Sequence, residues 1–285
     1  MTVLVTAASG HLGRLVVEAL LSHGARPGDI VATARDTAKI ADLAERGVRT
    51  AVLDYDRPDT IAAAFDGVET VLFVSGATPG GRLQQHTDVV DAAKAAGVAK
   101  LVYTSAPRAT TSGLVVAPDH KATEELLAAS GVPSVILRNN WYNENYLPTL
   151  AQAAESGVIV SSAGEGRVAS ASRADFAEAA AVVLLEDGHV GQVYELAGDV
   201  AWDFAELAAV MADVLGRPVA LASLSQEEHR AALEGAGLDA GTVGFLTVLD
   251  ANIRDGDLAQ ADGSLSRLIG RPTTPIRDTF AAHRP

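Results

Sequence analysis

Short apolar runs alternate with amphipathic stretches through the first half of the chain. Val3–Val5, Ile30–Thr33, Thr50–Leu53, Thr70–Val74, Lys100–Thr104 and Ser134–Leu137 read as buried strands. Between them, apolar residues return every third or fourth position over 12–24, 37–46, 59–66, 83–96 and 119–130, the spacing of one helix face. In the first of these stretches the stripe is Leu15, Val16, Ala19 and Leu20. A parallel strand needs a long crossover to bring the chain back, and a helix supplies it. The alternation therefore predicts a parallel sheet with helices on both faces. Gly47-Val48, Gly67-Val68, Gly97-Val98 and Gly131-Val132 each follow a helix and precede a strand, where glycine is the expected helix stop.

From residue 139 the pattern loosens. A helix is predicted up to residue 156, with short strands at Val158–Val160 and Gln192–Leu196 and a helix with a clear apolar face over 203–215. Val219–Ala222 precedes a helix that starts near Ser225, with Glu228 placed for a capping box. Residues 235–264 carry weak periodicity and many glycines and aspartates. The predicted division is a sheet domain over 1–138 and a smaller lobe over 139–285, interleaved with the first and not folding independently.

Composition narrows the class. A length of 285 residues accommodates one large α/β domain and a smaller lobe. Aromatics are scarce at 5%, so the core is aliphatic, as suits a sheet under Ala-, Val- and Leu-rich helices. Net charge is -14 with basic residues scattered, so no basic stripe exists to neutralise the phosphates of a nucleic acid. An acidic chain is also repelled by anionic lipid. The lack of cysteine excludes disulfides and thiolate chemistry. The apolar stretches are too short to span a bilayer, and no basic segment precedes a signal-type run, so a cytoplasmic location is expected.

The candidate chemistry begins at "VLVTAASGHLGRLVVEAL", residues 3–20, where a strand feeds a helix through a glycine-containing turn. Such a turn can aim backbone N–H groups at a pyrophosphate held at the positive end of the helix. Gly10 lets backbone approach phosphate and Gly13 lets the helix sit close to the strand, while Ala7 stands where such loops usually carry glycine. The added methyl is tolerable if Ala7 keeps a negative φ. The second strand ends "VATARDTAK": Arg35 offers a guanidinium for a 2′-phosphate, with Lys39 one turn later. That points to NADPH; the other reading pairs Arg35 with Asp36 at the surface, and Asp36 could itself favour NADH.

"TAASGHLG", "ATARDTAK", "VLDYD", "YTS", "RNNWYNENYL" and "ASASRADFAEAAA", in this order, resemble the NmrA-like group of atypical short-chain dehydrogenases, and within it the type-2 NADPH:quinone oxidoreductases. The likeness continues through "QVYELAGD" and "LSRLIGRPTT" and implies a Rossmann-type doubly wound sheet with a small C-terminal α/β lobe. On matching positions it implies that Thr6, Ala7, Ser9, Gly10, His11, Leu12 and Gly13 hold the pyrophosphate and that Arg35 and Lys39 meet the 2′-phosphate. Asp54 and Tyr55 would border the adenine, or form a plain strand-end turn; Ser75, Gly76 and Ala77 would lie against ribose, with Thr104 at the same rim. Asn139, Asn140, Trp141, Tyr142 and Asn143 mix amides with flat apolar faces, which suits a nicotinamide ring and a planar acceptor stacked on it. Here Asn139, Asn140 and Tyr142 are expected at the reacting rings, and Trp141 and Asn143 beside the cofactor. Arg173 either reaches the same cleft or pairs with Asp175 or Glu178.

One expected part is missing. Short-chain dehydrogenases use a Y-x-x-x-K pair, and here the tyrosine slot falls on Val116 and the lysine slot on His120. Ordinary ketone chemistry thus lacks its proton donor. A quinone needs none of that strength, because hydride leaves a hydroquinone anion stable enough to take its proton from water or a weak acid. His120 could hold ribose hydroxyls or supply that proton, or it is a histidine at a helix start facing solvent. The expected partner is therefore a small-molecule quinone, handled by a monomer or homodimer. The alternative is an NADP-binding redox sensor without turnover that docks on a partner protein. The histidines are too dispersed for a metal cluster.

Overall fold

The computed structural model describes residues 1–76 and 82–285. The chain divides into two compact units. The first takes Met1–Thr110, Pro118–Asn139 and Arg173–Glu195; the second takes Thr111–Ala117, Asn140–Ser172 and Leu196–Pro285.

In chain order the elements are β1 (Val3–Val5), α1 (His11–Ser22), β2 (Ile30–Ala34), α2 (Ala41–Glu45), β3 (Arg49–Val52), α3 (Pro58–Ala64), β4 (Thr70–Phe73), α4 (Arg82–Ala96), β5 (Lys100–Ser105), α5 (Ala117–Ser130) and β6 (Ser134–Asn139). There follow α6 (Leu147–Ser156), β7 (Val158–Ser161), α7 (Arg173–Leu185), β8 (Val193–Leu196), α8 (Phe204–Leu215), β9 (Ala220–Ser223), α9 (Gln226–Gly235), α10 (Ala240–Arg254), α11 (Ser264–Ile269) and α12 (Ile276–Ala282).

The large sheet has the order β3-β2-β1-β4-β5-β6-β8. Val5 of β1 pairs in parallel with Ala32 of β2 on one side and Leu72 of β4 on the other. The strand order reverses at β1, and beyond the carboxyl ends of β1 and β4 such a reversal opens a crevice. Successive strand residues point to opposite faces. Leu4, Val71, Phe73, Leu101, Tyr103 and Ile136 meet Ile61 and Ala64 of α3, Val89, Val90 and Ala93 of α4, and Leu127 of α5 in one core. On the other side α1 packs against α7, and α7 against β4 and β5. This is the doubly wound α/β fold that the alternation predicts.

Periodicity predicts no element over α7, and its composition explains why. "RADFAEAAAVVLL" is apolar or small nearly all round, and a helix of that kind is enclosed instead of amphipathic. Its C-terminal carbonyls are held from the sheet: Lys100 Nζ donates to Val183 (2.8 Å) and Glu186 (2.7 Å), placing a cation at the negative helix end. A second buried charge links strands to α5. Arg138 gives Nε and Nη2 to the two oxygens of Glu124 (2.9 and 2.6 Å) and Nη1 to Glu195 (2.8 Å), and Ser105 Oγ also donates to Glu124 (2.6 Å).

In the second unit β7 pairs in parallel with β9. The capping box Ser225/Glu228 opens α9 as expected, and Asp203/Glu206 forms another on α8. The weakly periodic stretch contains α10, started by Asp239, whose carboxylate accepts from the backbone of Gly241 and Thr242. Buried Asp250 of α10 accepts from Ser161 Oγ (3.0 Å) and Ser162 N (2.6 Å) and lies 3.1 Å from His229 Nδ1 of α9. Serine and carboxylate face the same ring nitrogen there, so the trio is a structural tie and not a hydrolase triad.

Candidate functional site

The turn after β1 is built by its backbone. Thr6 N–H donates to Leu72 O (3.0 Å), Ala8 N–H to Thr33 O (2.7 Å), and Gly10 N–H back to Ala7 O (2.9 Å). α1 then starts with Gly10 as its N-cap, no side chain bonds its first N–H groups, and its first turn carries no acidic residue. An uncapped N-terminus presents free donors and a positive dipole end, which is what an anion requires. A Cβ on Gly13 would stand 2.4 Å from Ala7 O, and one on Gly10 would stand 3.2 Å from the same atom. Gly13 is thus fixed by packing, and Gly10 leaves the approach clear. The condition set for the added methyl, a negative φ at Ala7, is not met: φ is +51°. Ala7 adopts the left-handed conformation that a glycine would take freely, at a cost of roughly 1–2 kcal/mol.

This turn forms one wall of a cavity of about 390 Å³ in the first unit. Ala34 and Arg35 line a second side, Leu53–Asp56 a third, and Val74, Ser75 and Gly76 a fourth. Ser9, Gly10, His11, Leu12 and Gly13 all reach it, whereas Thr6 lies behind the wall as a buried tie. Tyr55 Oη is 2.7 Å from both Thr6 Oγ1 and Val74 O, and Val74 N–H donates to Thr6 Oγ1 (2.9 Å). With one phenolic proton, given to the carbonyl, the Thr6 hydroxyl supplies the other bond and the ring closes. Burial pushes the Tyr55 hydroxyl pKa up, so it stays a neutral strut. Asp54 makes the strand-end turn, its Oδ1 accepting from Asp56 N (3.2 Å), and borders the cavity as well.

Arg35 and Lys39 are exposed, and neither forms an ion pair among the described residues. The pairing of Arg35 with Asp36 is absent: Asp36 caps the following turn, its carboxylate accepting from Ala38 N (3.0 Å).

The rim beyond β4 and β5 is held by side chains. Ser75 N–H donates to Thr104 Oγ1 (2.9 Å), so Thr104 braces the loop expected at the ribose. Gly76 N–H donates to His86 Nε2 (3.2 Å). Ala77 lies outside the described residues. His86 had no expected role, yet the helical stripe of α4 signals its burial, since Gln85 and His86 share the face of Val89, Val90 and Ala93. Burial, with the nearby Arg82 charge, pushes the His86 pKa down to about 3. His120 sits in the first turns of α5, 8% exposed, with Nδ1 2.9 Å from Tyr103 Oη. Burial and Arg82 bring its pKa down to about 4. The reading of a helix-start histidine facing solvent is corrected by this burial.

The asparagine-aromatic segment divides by burial. Asn139, the last residue of β6, keeps a buried carboxamide oxygen without a hydrogen bond. Asn140 is spent on main chain: Oδ1 accepts from Trp141 N (2.7 Å) and Nδ2 donates to Leu258 O (3.2 Å). Asn143 is fully enclosed and saturated; Nδ2 donates to Thr274 O (3.1 Å) and Thr279 Oγ1 (3.0 Å), and Oδ1 accepts from Ser170 Oγ (2.6 Å). It cannot offer a cofactor an amide, and that expectation is corrected. Trp141 and Tyr142 keep half-exposed faces. Arg173 opens α7, half-exposed, in the first unit.

A family model described as NAD(P)H-binding matches residues 7–187. Quinone oxidoreductase 2 of Escherichia coli is 42% identical over 277 residues, covering 97% of this chain and 96% of that protein. The structure of the E. coli NADPH-dependent quinone oxidoreductase complexed with NADPH superposes with a TM-score of 0.95, covering 99% of both chains. The Citrobacter sp. triphenylmethane reductase complexed with NADP(H) is 34% identical with a TM-score of 0.93, again over 99% of both chains.

Proposed function

The chain belongs to the NAD(P)H-binding family, and on that premise we propose that it is an oxidoreductase that carries hydride from NADPH to a quinone. The observation that carries the cofactor choice is Arg35 at the cavity wall, with Lys39 exposed in the turn that follows, neither in an ion pair among the described residues, while Asp36 is consumed as a cap. The uncapped start of α1, approached across Gly10 and Gly13, is the seat for the pyrophosphate. The quinone assignment rests on the 42% identity to the E. coli quinone oxidoreductase and on the valine at the tyrosine slot, Val116.

Bound NADPH supplies the hydride. The chain's own residues bind and orient. The brace of Thr104 and His86 fixes the backbone of Ser75 and Gly76 against the ribose side. The free carboxamide oxygen of Asn139 accepts one N–H from the ligand, which removes its burial penalty. Within the second unit, Asn140 and Asn143 set the backbone of the half-exposed Trp141 and Tyr142. Once reduced, a quinone is an anion that takes its proton from water, so placement suffices for the rate. No helix among the described residues is long and apolar enough to cross a membrane. We place the protein in the cytoplasm as a monomer or homodimer without a nucleic-acid partner, a reading supported by its net charge of -14.

The test is quinone-dependent loss of NADPH absorbance by wild type and Arg35→Ser. A lost charge-assisted contact of roughly 1.5–3 kcal/mol raises the KM for NADPH tenfold or more and leaves that for NADH within about twofold. Equal effects on the two cofactors would remove the phosphate assignment. Binding of NADPH without turnover on any quinone would favour the sensor reading.

A further inference from the structure

Gln85 of α4 lines the cavity in the first unit, is 5% exposed, and carries a carboxamide oxygen, Oε1, that makes no hydrogen bond. A buried acceptor without a donor is destabilising, and at a cavity wall a ligand N–H relieves it. The amide is held in one sense. Its Nε2 donates to Asp56 Oδ1 (2.7 Å), and a carboxylate only accepts, so the NH2 group turns to Asp56 and the oxygen turns away. A Cβ on Gly76 would stand 3.4 Å from Oε1 and 3.6 Å from the Tyr55 ring, so the acceptor and the ring flank one open spot. Its surroundings are fixed before any ligand arrives. Tyr55 Oη is tied to Thr6 and Val74, and Gly76 N–H donates to His86, the residue after Gln85.

NADPH has two NH2 groups, the 6-amino group of adenine and the nicotinamide carboxamide, one on each side of the pyrophosphate. Two observations point to the first. Arg35 lines the same cavity, and the 2′-phosphate that its guanidinium suits sits on the adenosine ribose. Gln85 is also bonded into the segment after β3, which β2 separates from β1 and the start of α1, so it stands on the adenosine side of the pyrophosphate seat.

Resting on the NADPH reading above, we propose that Gln85 reads the base: its Oε1 accepts from the 6-amino group of adenine, and Asp56 is the positioning residue that keeps the oxygen turned to it. A purine with a carbonyl at that ring carbon sets oxygen against oxygen and is rejected. The pair selects adenine dinucleotides from hypoxanthine and guanine ones, a choice that the phosphate contacts cannot make.

The experiment is calorimetric titration of the full chain, without quinone, with NADPH and with its reduced hypoxanthine analogue, which carries oxygen in place of the 6-amino group. Wild type is expected to bind NADPH about tenfold more tightly, as one hydrogen bond lost at a buried acceptor implies. Gln85→Leu weakens NADPH and brings the two dinucleotides within about twofold of each other, whereas a merely structural role would weaken both alike and leave the ratio intact. In Asp56→Asn the new amide donates as readily as it accepts, Gln85 turns over in part of the molecules, and the preference falls to about threefold or less. Asp56 is exposed, so this second variant decides the matter even where Gln85→Leu folds poorly. A wild-type ratio within about twofold would overturn the proposal. So would a full preference kept in either variant, which for Gln85→Leu would hand the amine to another acceptor such as Asp54. Quinone turnover does not enter the measurement: a wild type that shows the preference and reduces no quinone supports the proposal and sinks the reductase reading.

Discussion

Replacing Ala7 by glycine is expected to stabilise the protein, the reverse of what this exchange does at most sites. Ala7 sits at φ +51° in the turn between β1 and α1. Relief of the left-handed conformation is worth roughly 1–2 kcal/mol. Against this stand roughly 0.5–1 kcal/mol of added chain entropy in the unfolded state and about 0.4 kcal/mol for a half-buried methyl. The balance is a gain of about 0.5 kcal/mol, or a rise in Tm of roughly 1–2 °C for a domain of this size. Ala62→Gly, exposed on α3, is the matched control and is expected to lose about 1 kcal/mol. Urea unfolding of both variants without cofactor resolves the difference in sign. A loss of 0.5 kcal/mol or more in Ala7→Gly, roughly the ordinary cost of the exchange, would refute the strain argument and the backbone geometry behind it.

Two further outcomes concern buried charge. Glu124→Gln leaves Arg138, 13% exposed, with a weakened fork, and is expected to cost about 2–3 kcal/mol in urea unfolding; a loss below about 0.5 kcal/mol would show the fork to be dispensable. His86 and His120 have pKa values lowered to about 3 and 4 from the ordinary 6.5, so the unfolded chain binds protons that the folded one refuses. Stability from this source is full above pH 6.5 and falls as pH drops toward 4. The protein is expected to be about 2–4 kcal/mol less stable at pH 5 than at pH 7, and His120→Gln to lose about half as much. A flat profile over that range would mean that neither ring is held neutral.

Local pattern placed the strands of the large sheet within one or two residues, because each is a short apolar run between polar breaks. It passed over α7, whose alanines and valines give no polar face, and α10, where glycine and aspartate blur the stripe. The turn after β1 was legible for a chemical reason: Gly10 and Gly13 occupy positions where a side chain meets Ala7 O. Asn143 misled because an amide can bind a ligand or a backbone equally well. Asn143 has every bond filled from Ser170, Thr274 and Thr279, partners 27 or more positions away.

What the sequence by itself determined is therefore what local periodicity and residue type control: the parallel α/β class and the glycine turn that leaves the start of α1 uncapped. Burial and backbone sign were decided by tertiary structure. The sign of φ at Ala7 depends on how the turn fits between β1 and α1. His120 is kept neutral by burial and by Arg82, which lies 38 positions earlier in the chain. Its ring meets the Tyr103 hydroxyl, and the backbone of Gly76 is held by His86. A hydrogen bond between residues far apart in sequence leaves no periodic trace. Only the packed sheet and helices bring its two ends together.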